Sequence, residues 1–313
     1  MIRMLRTASS LGLVALIATS VATCDSSSPV ATGPLTKVLL TDGPFPYQWI
    51  ERVDLYVVSV SVSVDADTGA SGNFVTVATP NRRINVLGLA NGLTEELGAA
   101  SLPEGAITSV RMVIDTDSSS MTTKYGFVIT GETFSPSIQW QSSAGRPVLN
   151  ALIHEQITVP DTGAIIVIDY DVGQAFILNR ELNPGSPDSG FVFSPVLRAA
   201  DARRTGSIRG TVRAQTSTGA PVEDVSLRLF LGDPSHPENT WSVMGTAGSD
   251  ASGGFVFSYV TRSAHWARVP AQAAKTYIVA ADPRPGATLG RTIVSNISVT
   301  EGVETNIGVV ILP

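Results

Sequence analysis

Between residues 53 and 64 the chain alternates with a period of two, and this restricts its fold more than any other feature. Tyr56, Val58, Val60, Val62 and Val64 fall on one face, while on the other Val53, Leu55 and Val57 give way to Ser59, Ser61 and Ser63. A helix would scatter these valines around its circumference, whereas a strand sorts them onto two sides. One end of the strand is expected to be covered on both faces and the other to be solvated on one.

The same pattern recurs along the chain. Residues 35–41 read as a first strand, stopped by Asp42, Gly43, Pro44 and Pro46, because prolines cannot donate to a ladder. Residues 65–72 read as a hairpin loop into a strand at 74–77, and another strand follows at 83–87. Thr94 to Leu97 are expected to form one helical turn capped by Thr94. Residues 107–114 place Val110, Met112 and Ile114 inward, and residues 115–123 read as a polar loop. Short strands near 125–130, 137–140, 147–153 and 156–159 lead to residues 164–170, which are apolar on both faces as in a central strand. A loop at 183–190 and strands at 191–193 and 195–198 close the first part. Residues 201–206 lack apolar alternation and read as a linker. Beyond it, strands at 207–212, 225–231, 240–243, 254–259, 276–281, 292–299 and 304–312 suit a β-sandwich.

With one cysteine, disulfides within the chain are excluded, so stability must come from packed sheets. The N-terminus is read as an address. Arg3 and Arg6 precede an apolar run at 11–18, too short to span a bilayer as a helix, and small residues then lead to Cys24 and a serine-rich tail. That order, charged then apolar then small, is the layout of a secretory signal. Val21, Ala22, Thr23 and Cys24 resemble the lipobox of bacterial lipoproteins, whose cysteine is lipidated on sulfur and becomes the new N-terminus; Thr23 departs from the usual Gly or Ala. Ordinary cleavage after Ala22, with Ser20 and Ala22 as the small residues, also fits. The expected organisation is all-β, with two β-sandwich-like domains in tandem after a cleaved signal peptide: signal 1–23, tether 24–34, a β-rich domain at 35–200, the linker 201–206 and a sandwich at 207–313.

The chain carries 21 Lys and Arg against 27 Asp and Glu; without Arg3 and Arg6 the balance is 19 against 27, a net of −8. No basic stripe offsets it, which argues against a nucleic-acid partner.

Two resemblances add to this reading. Residues 39–44 (from Leu39 to Pro44), 53–62, 84–92 continuing to 102–112, 168–171 and 194–198 together resemble the bacterial lipoprotein family known as domain of unknown function number 4382, with Gly43 in place of the commoner Ala. That likeness implies an exported, anchored β domain and no activity. Residues 208–212, 219–225, 248–255 and 277–280 resemble the carboxypeptidase regulatory-like, transthyretin-type sandwiches, which are often grouped with carbohydrate-binding-like folds; the shared glycines and prolines mark turns.

Chemistry-bearing motifs are sparse. His154 and Glu155 begin like the H-E-x-x-H of zinc proteases, but position 158 is Thr158 and the local pattern is a strand. No G-x-S-x-G elbow occurs. Asp169 and Asp171 flank Tyr170 and share a strand face, which suits either a cation or a hydrogen-bonded strand end. Asp65, Asp67 and Thr68, and likewise Asp115, Asp117 and Ser118, read as turns. Asn296 to Ser298 match a glycosylation sequon, expected by chance in a bacterial strand. Trp241 and Trp266, with His265 beside the latter, are candidate ligand-binding residues, because an exposed indole stacks on a sugar face; core or loop anchoring is the competing role. No catalytic residue, metal site or cofactor is read. The expected function is a non-catalytic lipoprotein anchored in the bacterial cell envelope, at the outer membrane or cell surface in preference, with the inner membrane as the alternative. Its expected partners are the membrane, through the lipid on Cys24, and a glycan or an envelope protein. A carbohydrate-binding surface protein using the C-terminal sandwich is the alternative.

Overall fold

The computed structural model describes residues 33–43, 50–64, 74–124, 128–129, 132–133, 138–140, 145–179, 190–284 and 286–313. Cys24 and the signal stretch, Asp65, Asp67 and Thr68, and the loop expected at 183–190 except its last residue lie outside them. Residues 31–313 form one compact unit. Among the described residues, no helix is long and apolar enough to cross a membrane.

The chain is all-β. In order it forms β1 (Leu35–Asp42), β2 (Ile50–Ser63), β3 (Phe74–Ala78), β4 (Arg82–Asn85), a 3-10 turn (Val86–Leu89), β5 (Glu95–Ser101), β6 (Gly105–Ile107) and β7 (Ser109–Thr123). Short strands β8 (Val128–Ile129), β9 (Glu132–Thr133) and β10 (Ile138–Gln139) precede β11 (Val148–Ile153), β12 (Ile157–Val159) and β13 (Ile165–Tyr170). A single helical turn, α1 (Val172–Ala175), leads to β14 (Phe176–Leu178), β15 (Phe191–Phe193) and β16 (Leu197–Asp201). The main sheet runs β3-β2-β7-β11-β16-β13-β1-β5, with β4 also on β2. It curls until β3 and β5, at opposite ends of that path, pack together: a Cβ on Gly98 would stand 2.9 Å from that of Ala78. Arg82 reinforces the seam, pairing with Glu95 at 2.6 Å and donating to the Glu96 carbonyl at 3.3 Å.

Inside the curl lie Val38, Leu40, Leu55, Val57, Val60, Val62, Met112, Ile114, Ile166, Ile168 and Tyr170, all fully buried. Each such aliphatic side chain contributes about 1.5–3 kcal/mol by leaving water. Val110, Met112 and Ile114 point inward as expected, and β13 is central, parallel to β1 and antiparallel to β16.

Three expectations are corrected. In strand β2 the expected ends are reversed: Ser61 and Ser63 are buried along with Val60 and Val62, so that end is covered on both faces, whereas Asp54, Tyr56 and Val58 at the other end are only partly buried. Val53, Leu55 and Val57 are buried before a register shift between Val57 and Ser59, and Val60 and Val62 after it. One extra residue, Val58, changes which parity faces the core. Residues 94–97 make no helical turn; β5 begins at Glu95, because the edge of β1 and the Arg82 side chain offer partners that outweigh local propensity. Residues 115–123 form no loop but the second half of β7, paired with β2 through Met121 opposite Val53 and Ser120 opposite Asp54.

The C-terminal part consists of β17 (Thr205–Ala214), β18 (Ser226–Gly232), a 3-10 turn (Glu238–Thr240), β19 (Ser242–Gly248), β20 (Gly254–Thr261), the helical turn α2 (Ser263–Trp266), β21 (Thr276–Asp282), β22 (Thr292–Ile297) and β23 (Glu304–Leu312). Its strands make sheets β20-β17-β23 and β19-β18-β21-β22. Ile208, Val212, Leu227, Leu229, Tyr277, Val279 and Leu312 fill the space between them. Between the two parts, residues 201–206 are the end of β16, a 3-10 turn (Ala202–Arg204) and the start of β17. Asp201 caps this turn, accepting from the Arg203 backbone N–H at 3.1 Å.

Candidate functional site

Strands β1 and β13 run side by side in the same direction, so their C-terminal ends deliver acids to one place. Asp42 lies in register with Tyr170, and Thr41 with Asp169. The antiparallel neighbour β16 sets Arg198 opposite Asp169. Two carboxyl groups, those of Asp169 and Asp171, thus share the Arg198 guanidinium, and the Asp42 carboxyl lies close enough to feel both their charges.

Asp171 is fully satisfied. It caps α1, accepting from the Gln174 backbone N–H at 3.2 Å and from the Gln174 side-chain amide, and also accepts from Arg198 Nη1 at 3.2 Å and Thr246 Oγ1 at 3.0 Å. Arg198 is committed as well, lying 3.5 Å from Asp169 and donating to the Val243 carbonyl at 3.5 Å. Asp42 differs. Its Oδ1 accepts from the Val172 N–H at 2.9 Å, but its buried Oδ2 has no hydrogen-bond partner. Burial, and then the Asp169 and Asp171 charges, raise its pKa well above the carboxylate range against the pull of the Val172 N–H. Asp169 is pushed up to about 6 by burial and the Asp171 charge, with Arg198 opposing. The 27 % of its side chain left in solvent moderates that rise.

These groups wall a cavity of about 60 Å³, lined by Asp42, Asp169, Arg198 and His154 from the N-terminal part and by Thr246 and Tyr259 from the C-terminal part. His154, just after β11, packs edge-on to Trp266 at 5.6 Å and its buried Nε2 has no partner. Burial, helped by the Arg198 and His265 charges, pushes it down to about 4, so the ring is neutral. Tyr259 sits inside β20 with φ of +54°, in the left-handed region that costs a non-glycine residue about 1–2 kcal/mol. The cause is a bulge: Gly206 pairs with Val260 and Ile208 with Phe257, so Ser258 and Tyr259 face a single residue of β17.

A second tie closes the same junction. Glu155 accepts from Arg262 at 2.6 Å and from Arg204, and Arg262 also reaches Glu301 at 3.0 Å. A Cβ on Gly92, which has φ of +83°, would run into Ser258 Oγ, so the 91–92 turn and β20 meet closely.

The residues singled out in the sequence are distributed unevenly around this site. Asp169 and Asp171 do share Arg198, as a strand-end ion pair. Trp266 is only 7 % exposed, and its Nε1 donates to Tyr277 Oη at 2.6 Å; His265 stacks edge-on against it at 4.7 Å. Trp241 packs on Phe230 at 5.7 Å and donates to the Asp233 carbonyl at 2.9 Å. It belongs with Phe230, Ile278 and Ala280, whereas Trp266 belongs with Leu229, Leu231, Tyr277 and Val279, so the two indoles lie on opposite faces of the β18–β21 ladder and are not brought together. Asp115 is engaged by Arg146 at 3.0 Å and by the Ser118 N–H at 3.0 Å. Among the described residues, no group of three or more His, Cys, Asp or Glu is placed to hold a metal ion. Ser235, His236 and Asp233 converge on an exposed turn, but Ser235 Oγ and Asp233 both meet the same Nδ1, which leaves no relay from hydroxyl through imidazole to carboxylate.

Sequence reasoning missed Asp42, Arg198, His154 and Tyr259 as members of one site. The available signal was an acid ending an apolar strand, at Asp42, together with the Asp169 and Asp171 pair ending another.

Residues 33–186 match the family described as "Domain of unknown function (DUF4382)", in agreement with the resemblance drawn from residues 39–44, 53–62, 84–112 and 168–171; the fifth stretch, 194–198, lies outside the match. No curated protein matches the chain. Among solved structures it is similar to a 9R-lipoxygenase from Cyanothece PCC8801, at 14% identity and a TM-score of 0.24 over 36% of this chain and 17% of that one. It is similar to the Bacillus anthracis TIE protein, at 10% identity and 0.24 over 89% and 34%, and to the minor pilin GBS52 of Streptococcus agalactiae, at 10% and 0.22 over 88% and 95%. The chain thus spans about a third or less of the length of the first two. Likenesses at TM-scores this low carry no weight for fold or activity.

Proposed function

We propose that this chain is an exported, non-catalytic protein of the bacterial cell envelope, anchored by a lipid on Cys24, that presents two joined β modules as a surface for binding or envelope structure. Its C-terminal module is read as a transthyretin-type, carboxypeptidase regulatory-like sandwich, which its seven strands in sheets of three and four support.

The observation that carries this reading is how the junction spends its ionisable groups. Arg198 bridges Asp169 and Asp171 while Asp171 binds Thr246 of β19, and Glu155 binds Arg262 beyond β20. Groups that an enzyme would hold ready are used here to join two sheets systems into one body. A sugar platform has less support, since Trp266 is packed inside and Trp241 is tied down on the opposite face.

The anchor is tested by replacing Cys24 with alanine in cells and separating detergent from aqueous phase. The native protein is expected in the detergent phase and the Cys24→Ala protein in the aqueous one. An unmodified mature chain starting at Thr23, seen by mass spectrometry, overturns the anchor.

A further inference from the structure

The cavity at the junction has a chemical bias. By the measure in which one water needs about 10–15 Å³, its volume of about 60 Å³ holds roughly four to six heavy atoms. Its wall has two carboxyl groups, those of Asp42 and Asp169, and one guanidinium, Arg198, which is already engaged by Asp169, by Asp171 behind the wall and by the Val243 carbonyl. No cationic donor remains to receive an anion. The groups left over are the Asp42 Oδ2, on a residue only 4 % exposed, and the Nε2 of a neutral His154, both without partners. A buried acceptor without a donor is costly, and a ligand that brings N–H groups removes that cost. An inorganic cation is poorly served, since among the described residues no three acidic or imidazole groups are placed as ligands. An ammonium needs fewer acceptors, aimed along its N–H bonds, and gains from the aromatic faces of Phe257 and Tyr259, which also line the cavity. The strained backbone at Tyr259 falls at this wall, where strain tends to mark a binding surface.

We propose that the cavity binds a primary alkylammonium group, supplied by a small free amine or by a lysine side chain, through Asp42 and Asp169. The proposal rests on the binding reading above and not on the lipid anchor. Release or retention of the Cys24→Ala protein says nothing about the cavity, and absence of amine binding leaves the anchor standing.

The groups facing the two acids are Tyr170 at the end of β13, Asp171 capping α1, Arg198 on β16, His154 after β11, with His265 beyond it, and Tyr259 on β20. Binding a cation requires ionised acids, so affinity rises with pH across the range in which Asp169 titrates, near about 6, and again as the buried Asp42, itself held well above the carboxylate range, loses its proton.

The test is calorimetric titration of the full chain with ethanolamine and with the blocked lysine Nα-acetyl-lysine methylamide, against n-propanol and sodium chloride. One amine is expected to bind with one-to-one stoichiometry, at least tenfold more tightly at pH 8 than at pH 5. Binding of ethanolamine alone identifies a small-molecule amine, and binding of the blocked lysine alone or of both identifies a source that includes protein. Asp42→Asn and Asp169→Asn are each expected to weaken binding at least tenfold; Asp169 is the more exposed of the two, so its variant carries the test if Asp42→Asn fails to fold. Silence from both amines at millimolar concentration, an equal response to n-propanol or sodium, or unchanged binding by both variants overturns the proposal.

Discussion

At the scale of single residues, Asp42 sets a pH dependence. Its folded pKa lies above the unfolded one, so its contribution is fully present below the unfolded value and is lost as pH rises through the folded value. Asp169, at about 6, acts in the same direction. His154, pushed down to about 4, acts in the opposite direction below its unfolded value of about 6.5, so the Asp42 effect is read above that value: the protein is expected to melt at a lower temperature at pH 9 than at pH 7. Asp42→Asn keeps an oxygen for the Val172 N–H and removes the charge that must be buried, so it should flatten that dependence in thermal scans and raise the pH 9 melting temperature by a few degrees. A variant as pH-sensitive as the parent would refute this account. Little of it was legible in the chain. Asp42 stands next to Gly43 and Pro44 and has the composition of a turn; only the neighbouring strand β13 turns it into a buried acid.

At the scale of elements, strand existence was legible and strand facing was not. Period-two runs announced β1, β2 and most of the C-terminal strands, because half-buried strands must alternate, and a run apolar on both faces announced the central β13. Alternation cannot reveal a bulge, since the residue in excess, Val58, is itself an ordinary valine. This makes a specific expectation about β2. Deleting Val58 removes the extra residue and leaves Val53, Leu55, Val57, Val60 and Val62 all facing inward, so a cooperative fold should survive with a melting temperature a few degrees lower. Deleting Val60 instead absorbs the same excess but puts Ser59 in the inward slot that Val60 filled, so it should lower the melting temperature by several degrees more than deleting Val58. Thermal unfolding followed by near-ultraviolet circular dichroism separates the two outcomes. Residues 94–97 and 115–123 were misread for a related reason: their polar composition is local, while the β1 edge and the β2 ladder that recruit them are not.

At the scale of the whole molecule, the sequence suggests two modules, while residues 31–313 form one compact unit whose internal ties are made by side chains far apart in the chain. Arg198 and Asp171 meet Val243 and Thr246, and Glu155 meets Arg262. Such ties couple the stability of one part to the other. Calorimetry of the native protein should show one unfolding transition. Arg198→Met leaves the buried Asp171 carboxylate uncompensated, a loss of about 3–5 kcal/mol, and combined with Glu155→Gln it should split the transition in two. A single undivided transition in the double variant would show that apolar packing, not these ion pairs, joins the parts.

The place of β1 has a mechanical consequence. It is the first strand of the described structure, and it is held on one side by parallel β13 and on the other by antiparallel β5. Tension entering the chain ahead of Leu35 pulls β1 along its own axis, so the bonds of both ladders are loaded together in shear and must give way at once, where a terminal strand pulled sideways would unzip one bond at a time.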